Sequence, residues 1–207
     1  MTHWKSETVC TAWKASDLPH PESPEVVIVG RSNVGKSTLI NSLLNRLGKK
    51  VAYVSSKPGK TRSVNFYKIF APSGAGEDVF FLVDMPGYGY ASRGRDERAH
   101  WWKLVNDYFS GNRDTAFVIH LVDFRHGFLP GDEQLTAWLD GLDMPRLVVF
   151  TKGDKLPRGR SKILYGQYVA KGIVSILPPV VTCGKNDEAA DYLRIQIPRI
   201  IHELQNA

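Results

Sequence analysis

Residues 30–37 read "GRSNVGKS", the pattern GxxxxGK[ST], set between an apolar run and an amphipathic one. The run before it, "EVVIVG" (25–30), is short, β-branched and ends in glycine, which predicts a strand buried on both faces. The stretch after it, "KSTLINSLLNRLG" (36–48), places Leu39, Ile40, Leu43, Leu44 and Leu47 at helical spacing ahead of a glycine, which predicts a helix. A glycine-rich turn between a strand and a helix is the context a phosphate loop requires. Backbone N–H groups of residues 33–38 then face an anion at a helix N-terminus. In that frame Gly30, Arg31, Ser32, Asn33, Val34, Gly35, Lys36, Ser37 and Thr38 line the phosphates. Lys36 neutralises the β and γ phosphates, and the Ser37 hydroxyl offers itself to Mg2+. The loop is silent about the base.

Two further motifs choose it. "DMPG", residues Asp84, Met85, Pro86 and Gly87, directly follows the apolar run "VFFLV". A carboxylate there holds Mg2+ through water, and the Gly87 N–H reaches a γ-phosphate. "TKGD", residues Thr151, Lys152, Gly153 and Asp154, follows "RLVVF". An Asp carboxylate accepts two hydrogen bonds from the N1–H and 2-amino edge of guanine, and adenine offers neither donor. A polar group left without its partner discriminates strongly, so the base is guanine. Lys152 lays its alkyl stem along the ring. Thr182, Cys183 and Gly184, after the last apolar run, supply backbone N–H groups to the guanine O6. Thr61 closes "KPGKT" (Lys57, Pro58, Gly59, Lys60, Thr61) between the first helix and the second strand. From that loop a hydroxyl completes the Mg2+ shell only when the γ-phosphate is present.

The rest of the chain alternates strands and helices. "VNFYKIF" and "VFFLVD" read as an antiparallel hairpin across the turn-rich "APSGAGED". Helices are expected at about 96–109, 132–141, within 155–171 and from about Asn186, where Pro198 should kink or split the last one. "AFVIHLVD", "RLVVFT" and "VSILPPVV" complete the strands. This alternation predicts an α/β fold with a mostly parallel sheet. Residues 1–24, with Pro19, Pro21 and Pro24, read as an extended lead-in, and 25–207 as one domain. Two cysteines, Cys10 and Cys183, form no disulfide framework or metal-ligand spacing, and no apolar run is long enough to span a membrane. The expected address is the cytoplasm. A net charge of +6 is either a solubilising surface or the footprint of a polyanionic partner.

The motifs resemble the translation-factor-like GTPases. "GRSNVGKSTLIN", "KPGKT", "NFY", "VDMPGYGYA", "VDFRHG" and "TKGDKL" resemble more narrowly the EngB family (also called YihA/YsxC), bacterial GTPases of large-subunit ribosome assembly. The likeness runs from about Ser16 to the end and includes Asp132, "WL" at 138–139 and the spacing of Trp101 to Tyr108. "TCG" at 182–184 departs from the usual Ser-Ala-Lys. The resemblance implies a Ras-like P-loop fold, a three-layer sandwich around a mostly parallel six-stranded sheet. It also implies GTP and GDP as bound nucleotides, Mg2+ as cofactor through Ser37, Thr61 and Asp84, and catalysis resting on Lys36, Thr61, Gly87 and Asn33. The implied partner is the large ribosomal subunit, both rRNA and ribosomal proteins, in the GTP state. DNA and membrane are not expected, and the chain should be a monomer.

Ras-type enzymes carry a water-orienting glutamine just after DxxG, and here that position is Tyr88, which implies slow unaided hydrolysis. In similar GTPases an Asn at the position of Asn33 binds K+, which stands in for an arginine finger. The alternative is an Asn that bonds its own loop, and both stay open. Cations cluster at Lys49, Lys50, Lys57, Lys60 and Arg62, then at Arg93, Arg95 and Arg98, with a second group at Lys152, Lys155, Arg158, Arg160 and Lys162. Beside nucleotide-sensing segments they suit a state-dependent RNA contact. Trp101, Leu104, Val105 and Tyr108 form one helical stripe and should be core, with Trp102 packed beside it or exposed to a partner. Two rival functions fit parts of this pattern. A regulatory module of the division machinery would need no ribosome, and a small-molecule kinase would leave "TKGD" without a role.

Overall fold

The computed structural model describes residues 3–20, 22–44, 63–74, 76–88, 95–111, 113–184 and 188–206. Its centre is β2 (Glu25–Gly30), six residues that are all buried. Side chains alternate between the two faces of a strand. Val26 and Ile28 therefore join a core with α1 (Lys36–Leu43) and α5 (Glu188–Gln205), while Val27 and Val29 face α2 (Arg95–Phe109) and α3 (Pro130–Asp140). A third cluster joins Val122 and Phe150 to Tyr168 of α4 (Arg158–Ala170). The result is three layers, helices on both faces of one sheet.

Seven strands make that sheet, in the order β1-β3-β4-β2-β5-β6-β7. From β4 (Gly76–Asp84) through β2, β5 (Thr115–Asp123) and β6 (Arg146–Thr151) to β7 (Val180–Val181) every pairing is parallel. On the other side β3 (Val64–Ser73) pairs antiparallel with β4. The expected hairpin is longer than its apolar runs suggest, its pairing reaching Ser73 and Gly76.

Three expectations are corrected. The sheet has seven strands rather than six, because β1 (Lys5–Ala12) lies antiparallel on β3 within the stretch expected to be an extended lead-in. Trp4 beside it packs edge-on against Phe80, ring centres 5.2 Å apart. "VSILPPVV" contributes only Val180 and Val181, since Pro178 and Pro179 lack the N–H a strand ladder uses. Pro198 does not split the last helix, which runs unbroken from Glu188 to Gln205. An interior proline costs about 3 kcal/mol. Leu193, Ile197, Ile200 and Ile201 are all buried on the same helix, each contributing about 1.5–3 kcal/mol, and together they outweigh it. Helix α1 is described as far as Leu43, so its expected end at 48 lies outside the described residues.

Candidate functional site

The C-terminal ends of β2, β4, β5 and β6 deliver Gly30, Asp84, Asp123 and Thr151 to one edge of the sheet. Chain direction diverges there, with β4 on one side of β2 and β5 on the other, and such a switch point forms a crevice. The glycine-rich turn leaves β2 into this crevice. Gly35 precedes the first helical residue with φ +116°, a conformation that L side chains rarely adopt, which accounts for glycine at that position. The Thr151 Oγ1 donates to the Val34 carbonyl at 2.5 Å, tying the end of β6 under the turn.

Two cationic contacts complete the phosphate end. The Lys36 ammonium bonds the Asp84 carboxylate, and both side chains are buried. Lys152 donates to the Asn33 carbonyl at 2.6 Å and to Asp123 at 2.9 Å. Its ammonium thus clamps the base loop to the phosphate loop, a contact that the expected stem-on-ring packing did not include. Arg125 grips the same Asp123 with Nε and a terminal nitrogen. Burial pushes the Asp123 carboxyl up, but the bonds from Arg125 and Lys152 outweigh it and hold the group well below the usual carboxylate range. Asn33 sits at φ 62° with its residue exposed, and its side-chain amide bonds no group of its own loop among the described residues.

"DMPG" lies against the phosphate loop. A Cβ on Gly87 would come within 2.9 Å of the Ser32 Cα, so only glycine permits this approach. The Ser32 N–H donates to the Tyr88 carbonyl at 2.8 Å, and the Ser32 hydroxyl to the Gly87 carbonyl at 3.2 Å. Met85 and Pro86, expected in the site, are buried. Met85 belongs to the core, and the Pro86 carbonyl accepts the Trp101 indole N–H at 2.6 Å.

Tyr88 is turned inward. Its hydroxyl donates to the Asp132 carboxylate at 2.7 Å and lies 2.9 Å from the His120 Nε2. Burial and the nearby Asp132 push this phenol far above its ordinary pKa, so it keeps its single proton. That proton goes to Asp132, so His120 must donate from Nε2, which leaves its buried Nδ1 without a partner among the described residues. Asp132 in turn accepts the Leu129 N–H at 2.9 Å at the start of α3. The glutamine position therefore points into the core rather than at the phosphates. His120 is part of this anchor. Sequence gives little warning, because Tyr88, His120 and Asp132 sit on three separate segments.

At the base end, the Gly153 N–H donates to the Thr182 carbonyl at 3.0 Å, and Gly184 lies against the Asp154 carboxylate. "TKGD" and "TCG" are thus brought together. Asp154 also pairs with exposed Lys155 at 3.2 Å. Ser37 and Thr38 open α1 beside Lys36. Ser37 and Asp84 offer one hydroxyl and one carboxylate, hard oxygen donors of the kind Mg2+ takes while keeping most of its waters. Lys49, Lys50, Lys57, Pro58, Gly59, Lys60, Thr61, Arg62 and Arg93 lie outside the described residues. Trp101, Leu104, Val105 and Tyr108 are core, and Trp102 is half-buried, edge-on to both Trp101 and Trp138.

Residues 25–152 match the family model described as "50S ribosome-binding GTPase". A "Probable GTP-binding protein EngB" from Kosmotoga olearia is 39% identical over 94% of this chain and 98% of its own. One of the same description from Streptococcus mutans serotype c is 43% identical over 77% of this chain and 76% of its own. Among solved structures, the "Crystal structure of a probable GTP-binding protein engB" aligns with TM-score 0.59 at 21% identity, covering 86% of this chain and 99% of that one. At that identity it supports the fold alone.

Proposed function

The chain belongs to the 50S ribosome-binding GTPase family, in its EngB branch, and from this premise we propose that it is a GTP-driven switch assisting assembly of the large ribosomal subunit. It is a GTPase of Ras-like fold. One observation carries the switch reading: Gly87 and Tyr88 are bonded to the phosphate loop on one side, and Tyr88 is anchored to α3 on the other. A contact at the γ-phosphate therefore has a mechanical route out of the site.

In this reading the backbone of residues 33–38 and Lys36 hold the phosphates, with Mg2+ held by Ser37, Asp84 and Thr61. When bound, Mg2+ neutralises charge on the β and γ oxygens. The Gly87 N–H reports the γ-phosphate, and Asp154 reads guanine with Gly184 beside it. Tyr88 faces away from the phosphates, so no side chain at that position orients the attacking water, and unaided turnover is slow. In this reading Asn33, exposed and making no bond to its own loop among the described residues, takes K+. Replacing Na+ by K+ should then raise turnover in the wild type and not in Asn33→Ala, and equal rates in both salts would remove potassium from the mechanism.

The partner is tested by co-sedimentation with purified large subunits. Binding should be tighter with a GTP analogue than with GDP and should fall steeply with added salt. Replacing Arg93 and Arg95 by Ala should weaken it while leaving nucleotide affinity unchanged. Equal binding in both nucleotide states would mean the switch does not govern association. The protein acts as a cytoplasmic monomer, and its effect on growth and division follows from ribosome supply.

A further inference from the structure

The chain's positive charge has an address. Residues 155–185 hold Lys155, Arg158, Arg160, Lys162, Lys171 and Lys185 and no Asp or Glu, so this one segment carries a charge equal to the whole net +6. A solvated surface ordinarily mixes both signs. Arg160, Lys162 and Lys171 are exposed and form no ion pair among the described residues.

Helix geometry sorts the residues of α4. Leu164, Tyr165 and Tyr168 turn inward, packing with Phe124 and Phe150. At about 100° per residue, Gly159, Ile163, Gly166 and Ala170 fall in one line along the outer crest. Lys162 flanks that crest on one side, Arg160 and Lys171 on the other. All seven are exposed, and Ile163 is 65% exposed. Gly166 is unexplained by the fold: its φ is ordinary, and nothing lies within 4 Å of where a Cβ would stand. A mid-helix glycine costs about 1 kcal/mol relative to alanine. What a glycine supplies at an outer crest is close approach by something outside the molecule.

We propose that the outer face of α4 is a standing RNA-binding surface. The low crest admits a phosphate backbone, and cations on both flanks reach its charges. A membrane is the poorer fit, because an interfacial helix needs a broad apolar face, and the exposed large apolar side chains among the described residues of α4 are Ile163 and Val169. The face is fixed from within: the Tyr168 hydroxyl donates to the Phe124 carbonyl at 3.2 Å, and the Tyr165 hydroxyl to the Pro179 carbonyl at 3.0 Å. None of these bonds involves Gly87 or Tyr88, so the surface is present in both nucleotide states. It supplies the affinity that does not switch. This inference rests on the ribosome-assembly reading in naming the RNA.

The test uses the full chain with Arg160, Lys162 and Lys171 all replaced by Ala, and separately Gly166→Gln. Binding is measured to purified large subunits with a GTP analogue and with GDP, and to a short RNA duplex. The triple variant should lose about tenfold or more in affinity, by the same factor in both nucleotide states. Its log–log salt slope should shrink by about two to three. Gly166→Gln should raise the unfolding temperature and yet weaken binding, opposite signs that loss of fold cannot produce. Wild-type affinity for RNA in both variants would overturn the surface. Failure of the wild type to bind large subunits would sink the ribosomal reading instead, and the duplex would still decide the surface. Losses confined to anionic vesicles or polyglutamate, with RNA binding intact, would also overturn it.

Discussion

Lys36 and Asp84 stand at one end of the cleft with side chains 9% and 3% exposed, whereas Asp154 at the other end leaves 36% of its side chain in water. The phosphate end is part of the core. Its two charges face each other beneath the sheet edge, and Gly87 packs directly on Ser32. The base end is assembled from two short loops joined by a backbone bond, with its carboxylate at the surface. Changing a phosphate-end residue should therefore disturb folding and binding together. Changing a base-end residue should alter only which nucleotide is taken.

The largest effect expected from this contrast is that of Asp84→Ala. It strands the Lys36 ammonium, and removing one member of a buried pair costs about 3–5 kcal/mol. Urea unfolding should show that loss, and a variant lacking both Lys36 and Asp84 charges should recover part of it. An Asp84→Ala midpoint equal to wild type would erase the distinction between the ends. Next is Asp154→Asn, which should leave stability within about 0.5 kcal/mol because the residue is exposed. GTP binding should weaken by roughly 1.5–3 kcal/mol, the worth of a charged hydrogen bond, while xanthosine triphosphate improves. Unchanged GTP affinity would refute the guanine assignment.

Between the two ends stands Tyr88. Tyr88→Phe keeps the ring and leaves the Asp132 carboxylate and the His120 N–H short of a partner, about 1–3 kcal/mol of stability. A truncation to alanine at this position opens the core as well, so a clean test of turnover needs the phenylalanine variant. If Tyr88→Phe unfolds like wild type, the anchor does not hold the segment. The smallest effect concerns acid. Asp123 has a depressed folded pKa, so its stabilisation is present above the unfolded value of about 3.9 and is lost as pH falls through the folded one. Asp123→Asn should lose less stability than wild type on going from pH 5 to pH 2, read as urea midpoints. Parallel curves would detach Asp123 from the Lys152 clamp.

The phosphate end was legible because its parts are local. A β-branched run, glycines at fixed spacing and an apolar helical stripe all lie within 25–44, and "RLVVFT" matched β6 residue for residue. Strand β1 was not legible, since most of its residues are exposed and its sequence, "KSETVCTA", lacks an apolar face. Its place depends on pairing with β3, which no local pattern encodes. The same holds for the Tyr88 anchor and for Pro198, where tertiary packing overrides a local rule.

Strand β1 also carries a consequence in time. Thr8 pairs with Tyr67, about sixty positions later in the chain. At 5–20 residues per second, synthesis separates the two by about 3–12 s. During that interval Lys5–Ala12 has no partner, and the Trp4 indole waits for Phe80. Once made, β3 presents an open edge until β1 returns to it, and such edges recruit foreign strands. A chaperone bound to the nascent N-terminal segment would shorten no distance but would keep that edge and its late partner from meeting another chain first. Ribosome-bound chains stalled far enough past Asp84 for β4 to clear the exit tunnel should protect Trp4 from quencher, and chains stalled with β3 still inside the tunnel should not.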